Sequence, residues 1–272
     1  MPLTERSFLS RDFALTYESS AEQLTGPFSQ AALAMVGDIG PGVRVLDVAA
    51  GTGALSVPAA QAGASVLGTD IAPGMIERLA ERLELYPKCE ARVMNGEALT
   101  LPDGSFDNAF SIFGAIVFSD WRKGLGELAR AVRKGGQGCV ASWRDPPGGG
   151  PFVLMAQALR STFPDQATPP PSEGMWALSS PDTLRHEMRS AGFEGIEIQS
   201  IEGTWTAPAG EGFLAATEDL YSYIRPYAQL SDNDRNRVRS RLRELSDEHV
   251  AAGRVRLSCT ALIAKGQRTH TA

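Results

Sequence analysis

The sequence predicts an α/β fold, a doubly wound and mostly parallel sheet with extra helices at both ends. Three observations lead there. From about residue 43 to residue 143, short β-branched runs alternate with helical patterns, which is how βαβ units and a parallel sheet appear in sequence. The first run, Val43 to Val48, feeds a glycine turn, Gly51-Thr52-Gly53. The second run closes on an acid, Asp70, about twenty residues after that turn.

Taken in order, residues 8–36 place apolar side chains near helical spacing, with a break expected at Gly26-Pro27. Asp38 to Gly42 is a turn. Val43 to Val48 is a buried strand, and an alanine-rich helix follows the glycine turn to about Ala62. Ala64 to Thr69 is the second strand. Pro73 opens a helix to about Leu85, proline being tolerated in a first helical turn. Ala91 to Met94 and Phe106 to Phe113 are the third and fourth strands, with a turn at Asp103-Gly104 between them. A helix over Lys123 to Arg133 is stopped by Gly135-Gly136, and Gly138 to Trp143 is the fifth strand. Asp145 to Gly150 and Thr168 to Pro171 are connectors. Leu184 to Ser190 is a helix, Gly195 to Ile201 a strand, 211–224 and 231–250 helices, and Arg254 to Ala264 a final strand. No internal repeat is present.

Composition narrows the function classes. The chain has 272 residues, 43% hydrophobic and 21% charged, which are ordinary globular values. A chain of this length buries roughly 75% of its unfolded surface, so it needs no disulfide or metal staple. The net charge of −6 argues against a bare phosphate backbone as main partner, since such binding needs a concentrated basic face. Cys89, Cys139 and Cys259 are odd in number, far apart and without a CxxC spacing. Reduced thiols and a cytoplasmic location are expected, with no metal site. Glu5, Arg6, Arg11 and Asp12 do not fit a signal peptide. The uncharged run Val48 to Thr69 is broken by Gly51, Gly53, Pro58, Gln61 and Gly63, so no membrane span is expected.

Parallel sheets of this kind bind ligands at the carboxyl ends of their strands, near a topological switch point. The chemistry is therefore expected after Val48, at Asp70, around Asn95 and after Ser111. Glycine lets backbone approach a ligand without a Cβ in the way. A carboxylate at Asp70 can accept hydrogen bonds from both vicinal hydroxyls of a ribose. A dinucleotide fingerprint would place a third glycine where Ser56 stands, and the first glycine of the longer pattern is Ala49. Asp47 lies inside the strand; a carboxylate there repels a pyrophosphate and favours an ammonium. These features point away from a nicotinamide dinucleotide and towards a cationic, phosphate-free nucleoside.

The segment VLDVAAGTGALSVPAA (45–60) resembles the first signature of class I S-adenosylmethionine-dependent methyltransferases. TDIAPGMIERL (69–79) resembles the second, and 94–118 the third and fourth. LGELARAVRKGGQGCVASW (125–143) is similar to the helix and fifth strand that follow. LRHEMRSAGFEGIEI (184–198) and VRLSCTALIAKG (255–266) are similar to the last helix and strands of the small-molecule members. The resemblance implies a Rossmann-like seven-stranded sheet whose last strand runs antiparallel between the fifth and sixth, with helical lid insertions. It implies one domain over 1–272: an N-terminal helical lid (1–40), a cofactor-binding core (41–144), and a C-terminal part carrying substrate-lid insertions (145–272).

It also implies roles for residues. S-adenosylmethionine would be the donor and S-adenosylhomocysteine the product. Asp47 would organise the methionine end, and the turn Ala49, Gly51 and Gly53 would pass under the methionine and ribose. Asp70 would take the ribose hydroxyls, with Ile71 and Met75 on the adenine face. Asn95 stands where the family usually has an acid for the adenine amino group, Gly96 would offer its N–H, and Glu97 is the alternative acid if the register moves by two. Ser111, Ile112 and Phe113 would line the methyl-transfer face. Tyr17 stands where such families often carry a lid tyrosine, and Trp143 ends the fifth strand; these two are the substrate-side candidates. No catalytic residue is assigned, because displacement at an activated methyl mainly needs alignment at ~3–3.5 Å, and a general base is needed only for a protonated acceptor.

Two other features are weighed against this. Asp145-Pro146-Pro147-Gly148 is similar to a motif of nucleic-acid amino methyltransferases, but follows the fifth strand and ends in glycine, so it is read as a connector. Arg235, Arg237, Arg239, Arg241 and Arg243 spread around a helix with acids behind them and are read as a solvated face. Trp176, Trp205, Tyr221, Tyr223 and Tyr227 are read as packing residues, and His186, His249 and His270 have no ligand spacing. The expected partner is a small-molecule substrate, with no nucleic acid and no membrane, and a homodimer is allowed. The alternatives are an NAD(P)-dependent oxidoreductase, a nucleoside-binding protein without turnover, and a nucleic-acid methyltransferase. Stabilisation by NAD(H) alone, binding without turnover, and steep salt-dependent RNA or DNA binding would mark them in turn.

Overall fold

The β-branched runs pair side by side in the computed structural model of the chain, which describes residues 10–145, 148–165, 171–222 and 224–269. Glu5, Arg6, Pro146, Pro147, Thr168, Tyr223 and His270, named above, lie outside these ranges. The strands are β1 (Arg44–Val48), β2 (Ser65–Asp70), β3 (Glu90–Val93), β4 (Phe106–Ile112), β5 (Val132–Trp143), β6 (Phe193–Pro208), β7 (Val250–Ala251) and β8 (Arg254–Arg268). They form one sheet in the order β3-β2-β1-β4-β5-β8-β6, with β7 paired to β8. β1 to β5 run parallel, and β8 is antiparallel to both β5 and β6.

The seven strands expected from sequence are thus present in the expected order, with β7 as a two-residue eighth. β7 closes a hairpin on β8 through Ala252 and Gly253, both at positive φ (49° and 74°). That is a type I′ geometry, which Asn-Gly or Asp-Gly usually announces; Ala-Gly does not. All but the first residue of β1 and the two ends of β2 are buried, which explains their unbroken apolar character.

Helices connect and cover the sheet. α1 (Arg11–Ser19) and α2 (Ala21–Val36) precede it. α3 (Ser56–Gln61), α4 (Pro73–Leu83) and α5 (Trp121–Ala131) form the crossovers. α6 (Pro151–Thr162), α7 (Glu173–Ala177) and α8 (Pro181–Ser190) lie between β5 and β6. α9 (Glu211–Tyr221), α10 (Arg225–Ala228) and α11 (Asp232–Asp247) lie between β6 and β8. The N-terminal break falls at Ser20 and not at Gly26-Pro27, which sits inside α2. Here the hydroxyls of Ser19 and Ser20 both bond the carbonyl of Thr16 (3.0 and 2.6 Å), competing with the backbone ladder that would continue α1. Asp120 caps α5 by accepting from the Lys123 N–H at 3.0 Å, so that helix starts before Lys123.

Two buried clusters result. The larger joins the three crossover helices and α2 to the sheet, with Leu46, Phe110, Leu125, Trp121 and Phe28 among its members. The second gathers α6, α9, α10 and α11 against the outer ends of β6 and β8, around Phe213, Tyr221, Tyr227 and Leu242. Tyr221 anchors it by donating to the Pro151 carbonyl at 2.6 Å. β6 and β8 are longer than their sequence pattern suggests because their outer halves carry this helical cap. Each arginine of the α11 run has an acidic partner: Arg235 and Arg239 use Glu218, Arg237 uses Asp234, Arg241 uses Glu244 and Arg243 uses Glu211. Two of those four acids, Glu211 and Glu218, come from α9, and only Glu244 lies in the acidic stretch behind the run.

The N-terminal helices are held to the core by close contact as well as charge. A Cβ on Gly74, in the first turn of α4, would lie 2.3 Å from the backbone of Ser10, where no flexible side chain can yield. Gly74→Ala is expected to unseat α1 at a cost of about 1–3 kcal/mol. Limited proteolysis within residues 10–20 should accelerate, and an unchanged cleavage rate would refute that seating.

Candidate functional site

The sheet reverses its winding at β1: β2 and β3 extend on one side and β4 on the other. The crevice at the carboxyl ends of β1 and β4 is therefore the expected ligand position. Leaving β1, the backbone turns sharply through Ala49 (φ 59°), Gly51 (φ 55°) and Gly53 (φ 108°). Ala49 adopts a left-handed conformation that costs an L-residue about 1–2 kcal/mol. At Gly51 a Cβ would meet the Tyr17 ring at 3.4 Å, and at Gly53 it would lie 2.6 Å from Leu79. The turn thus comes close to Tyr17 at Gly51 and to α4 at Gly53, where a side chain would not fit.

Two carboxylates flank it. Asp70, at the end of β2, accepts from the Gly51 N–H (3.0 Å) through Oδ2 and from the Ala72 N–H (2.9 Å) through Oδ1. These bonds tie the strand end to the glycine turn and leave further lone pairs on both oxygens. Burial raises the Asp70 carboxyl above its ordinary range, against those backbone donors. Asp47, in β1, is 2% exposed, and its Oδ2 accepts from the Ser56 hydroxyl at 2.7 Å. Burial pushes it up to about 7, opposed by Ser56 and reinforced by the nearby Asp70 and Glu22 charges.

One cavity brings Tyr17, Asp47, Ala49 and Ile112 together. Its other polar walls were not anticipated: Glu22, Thr25 and Ser29 from α2, and Thr52 from the turn. Thr52 donates its hydroxyl to Glu22 Oε2, and Arg82 on α4 reaches both Glu22 oxygens and the Thr52 carbonyl, each at 2.8 Å. Glu18 pairs with Arg78 at 2.6 Å. A sequence signal existed for the α2 residues. Glu22, Thr25 and Ser29 stand at i, i+3 and i+7, one helical face, on a mostly apolar helix. With α2 seated, the cavity measures about 20 Å³, room for one water.

On the expected adenine side, Ile71 is 63% exposed at the tip of β2. Met75 packs among Phe13, Ala14 and Ala72 under α1. Asn95 is exposed, and its Oδ1 accepts from the Glu97 N–H at 2.9 Å. Gly96 is buried; a Cβ there would strike Phe118 and Val48. The Glu97 carboxylate accepts from the Asp120 N–H at 3.1 Å and is thus turned to the start of α5. Ser111 accepts from the Ala115 N–H at 3.0 Å. Phe113 (φ 61°) stacks on Trp143 at 4.2 Å, and Phe28 of α2 meets both edge-on at 5.7 and 5.6 Å. Trp143 is 4% exposed and so acts as wall and core at the site's floor. Among the described residues, no three metal-ligating side chains come together and no helix is long and apolar enough to cross a membrane.

The donor set suits an adenosine ligand with a charged amino-acid end. Asp70 keeps free lone pairs beside the glycine turn, Ile71 is an exposed apolar residue at the same strand end, and Asp47 and Glu22 line the cavity. Ser29 is 1% exposed and lines the same cavity as Asp47 and Glu22.

Comparison with known proteins agrees. Residues 45–136 match the family model described as a methyltransferase domain. A demethylmenaquinone methyltransferase of Thermus thermophilus is 34% identical over 166 residues, covering 55% of this chain and 74% of that protein. An uncharacterized Mycobacterium tuberculosis protein is 35% identical over 161 residues, 59% of this chain; the chain spans only 57% of that relative's length. Among solved structures, the YcgJ protein from Bacillus superposes with a TM-score of 0.55 at 18% identity, over 90% of this chain and 98% of that one. A Haemonchus contortus phosphoethanolamine N-methyltransferase bound to S-adenosylhomocysteine gives 0.54 at 18%, over 90% and 53%. The chain belongs to the class I S-adenosylmethionine-dependent methyltransferase family. The cyclase SpnF shares the fold at a TM-score of 0.53 and 16% identity, so fold at that distance does not decide the reaction.

Proposed function

We propose that the protein transfers a methyl group from S-adenosylmethionine to a small-molecule acceptor, and that the described elements work as a single unit with α1–α2 and the α6–α11 cap as substrate lids. The observation that carries this is the pair of carboxylates, Asp47 and Asp70, on adjacent strand ends either side of a glycine turn. When bound, the donor supplies an activated methyl on a sulfonium. The protein's part is to hold and align. Asp70 and the Gly51 turn take the ribose, Asp47 faces the amino-acid end, and Ile71, Asn95 and Gly96 receive the base. The aromatic group Phe28, Phe113 and Trp143 excludes water from the strand ends. Nothing in this arrangement requires a metal or a general base.

The demethylmenaquinone methyltransferase relatives make quinol-type acceptors the first to try. Paired acids across the α11 arginines favour a metabolite over a nucleic acid, and the three unpaired cysteines suit the cytoplasm. The test is calorimetric titration of the protein with S-adenosylhomocysteine and with NADH, then an acceptor panel read by S-adenosylhomocysteine release. Micromolar binding of the first ligand and none of the second is expected. Binding of NADH alone would replace this reading with the oxidoreductase.

A further inference from the structure

We infer that the groove between α5 and α8 is a second binding site, separate from the donor cavity, for a small monocarboxylate on an apolar body, with Arg268 as its anchor. The groove encloses about 380 Å³, within the range of small-molecule sites. No residue lining it also lines the cavity around Asp47. Arg268 ends β8 beside Phe193, the first residue of β6, so the groove reaches the edge of the sheet away from the glycine turn.

The first observation is an unmatched charge. Arg122, Arg130 and Arg268 line the groove with a single acid, Glu187, in a chain of net charge −6. Two of these arginines are already satisfied. Arg130 spends all its N–H donors on Glu127, Asp103 and the carbonyls of Leu99 and Leu101. Arg122 holds Glu187 at 3.2 Å and Glu173 at 3.5 Å, which neutralises the groove's own acid. Arg268 is 7% exposed, yet its side chain has one partner, the Ala191 carbonyl, 3.3 Å from Nη1. No carboxylate among the described residues pairs with it. Capping the end of α8 in this way uses one of its N–H donors and leaves the rest of the fork. A buried cation without a counter-charge is costly, and this one lies on the wall of an open groove.

The second observation is Gly126. Arg122, Gly126 and Arg130 stand at i, i+4 and i+8, on one face of α5. A glycine inside a helix weakens it relative to alanine. Packing explains Gly124, where a Cβ would lie 2.4 Å from the Phe118 ring, but at Gly126 a Cβ would meet nothing within 4 Å. The bare backbone there, Ala191 and the arginine stems make an apolar trough leading to the Arg268 guanidinium. One unmatched charge on a planar fork takes a carboxylate in a bidentate pair. A phosphate dianion would bring a second charge towards Glu187.

The test uses octanoate, 1-octanol and phenyl phosphate as probes, titrated against the whole chain by ligand-observed NMR. Octanoate is expected to bind wild type saturably, with a dissociation constant below ~1 mM. 1-Octanol, with the same chain length and no charge, should bind roughly 10-fold more weakly. Arg268→Met, which keeps the apolar stem and loses the charge, and Gly126→Leu, which fills the trough, should each weaken octanoate roughly 10-fold. Affinity for S-adenosylhomocysteine, measured by calorimetry, should stay within about 2-fold in both variants. Gly126→Leu enters open space, so it keeps the test decisive if Arg268→Met loosens the end of α8. Octanoate that does not saturate, equal binding of 1-octanol, tighter binding of phenyl phosphate, or octanoate binding untouched by Gly126→Leu would each overturn the site. A variant that loses S-adenosylhomocysteine together with octanoate would overturn its separateness from the donor cavity.

Discussion

Asp47→Asn is expected to stabilise the ligand-free protein at pH 8 while weakening its hold on S-adenosylhomocysteine. Asp47 is nearly inaccessible, and burial raises its carboxyl from 3.8 to about 7. Between those values the folded protein holds a proton that the unfolded chain has released. Stability therefore falls as pH rises from about 4 to about 7 and stays low above it. At pH 8 the wild type holds an ionised carboxylate in the core, whereas asparagine holds none. The gain is on the order of 2–4 kcal/mol, seen as a rise of several degrees in Tm, and it disappears near pH 4. The same change removes the charge proposed to meet the ligand ammonium, so affinity should fall by roughly 10- to 100-fold.

A second signature follows from the same carboxyl. Wild-type protein binding S-adenosylhomocysteine at pH 6 must ionise Asp47, so it releases a proton, and calorimetric enthalpies will depend on the buffer. Affinity rises with pH up to about 7 and then levels. Asp47→Asn should show neither behaviour. A variant less stable than wild type at pH 8, or with unchanged affinity, would remove Asp47 from the site.

Asp70→Ala is the other large effect. Alanine removes the acceptor proposed for the ribose hydroxyls and the anchor for two backbone N–H groups, those of Gly51 and Ala72. The loss of S-adenosylhomocysteine binding is expected at ~1–3 kcal/mol. The orphaned N–H groups should also lower the melting temperature, because the glycine turn loses its tie to β2. Calorimetry on the folded variant decides the matter: full affinity without this carboxylate would refute the ribose role. Asp70→Asn, which keeps one acceptor oxygen, should fall between alanine and wild type in both measurements.

These two residues also show how far sequence reasoning reached. Asp47 and Asp70 were legible because strand, turn and acid are local features of a short segment, and parallel sheets place strand ends at a common edge. What those carboxylates bond to was not legible. That Asp70 spends a lone pair on Gly51 depends on how β1 and β2 register, whereas its bond to the Ala72 N–H, two residues on, is local. The adenine-side residues show the same limit: Glu97, eligible by spacing, is turned to the cap of α5, and Met75 is taken up by α1. Spacing along the chain gives a residue's position on an element and not the competing partners around it.

By itself, the sequence determined the α/β class, the order of the first five strands, the glycine turn and the two acids beside it, because each depends on hydrophobic period or turn chemistry within a few residues. Only the tertiary structure decided that α2 folds back over the turn, that Arg78 and Arg82 of α4 grip Glu18 and Glu22, and that Ser29 is left buried beside Asp47. The two arginine–glutamate contacts each join residues 60 positions apart on separate elements. Their existence depends on packing and desolvation, which no local pattern encodes.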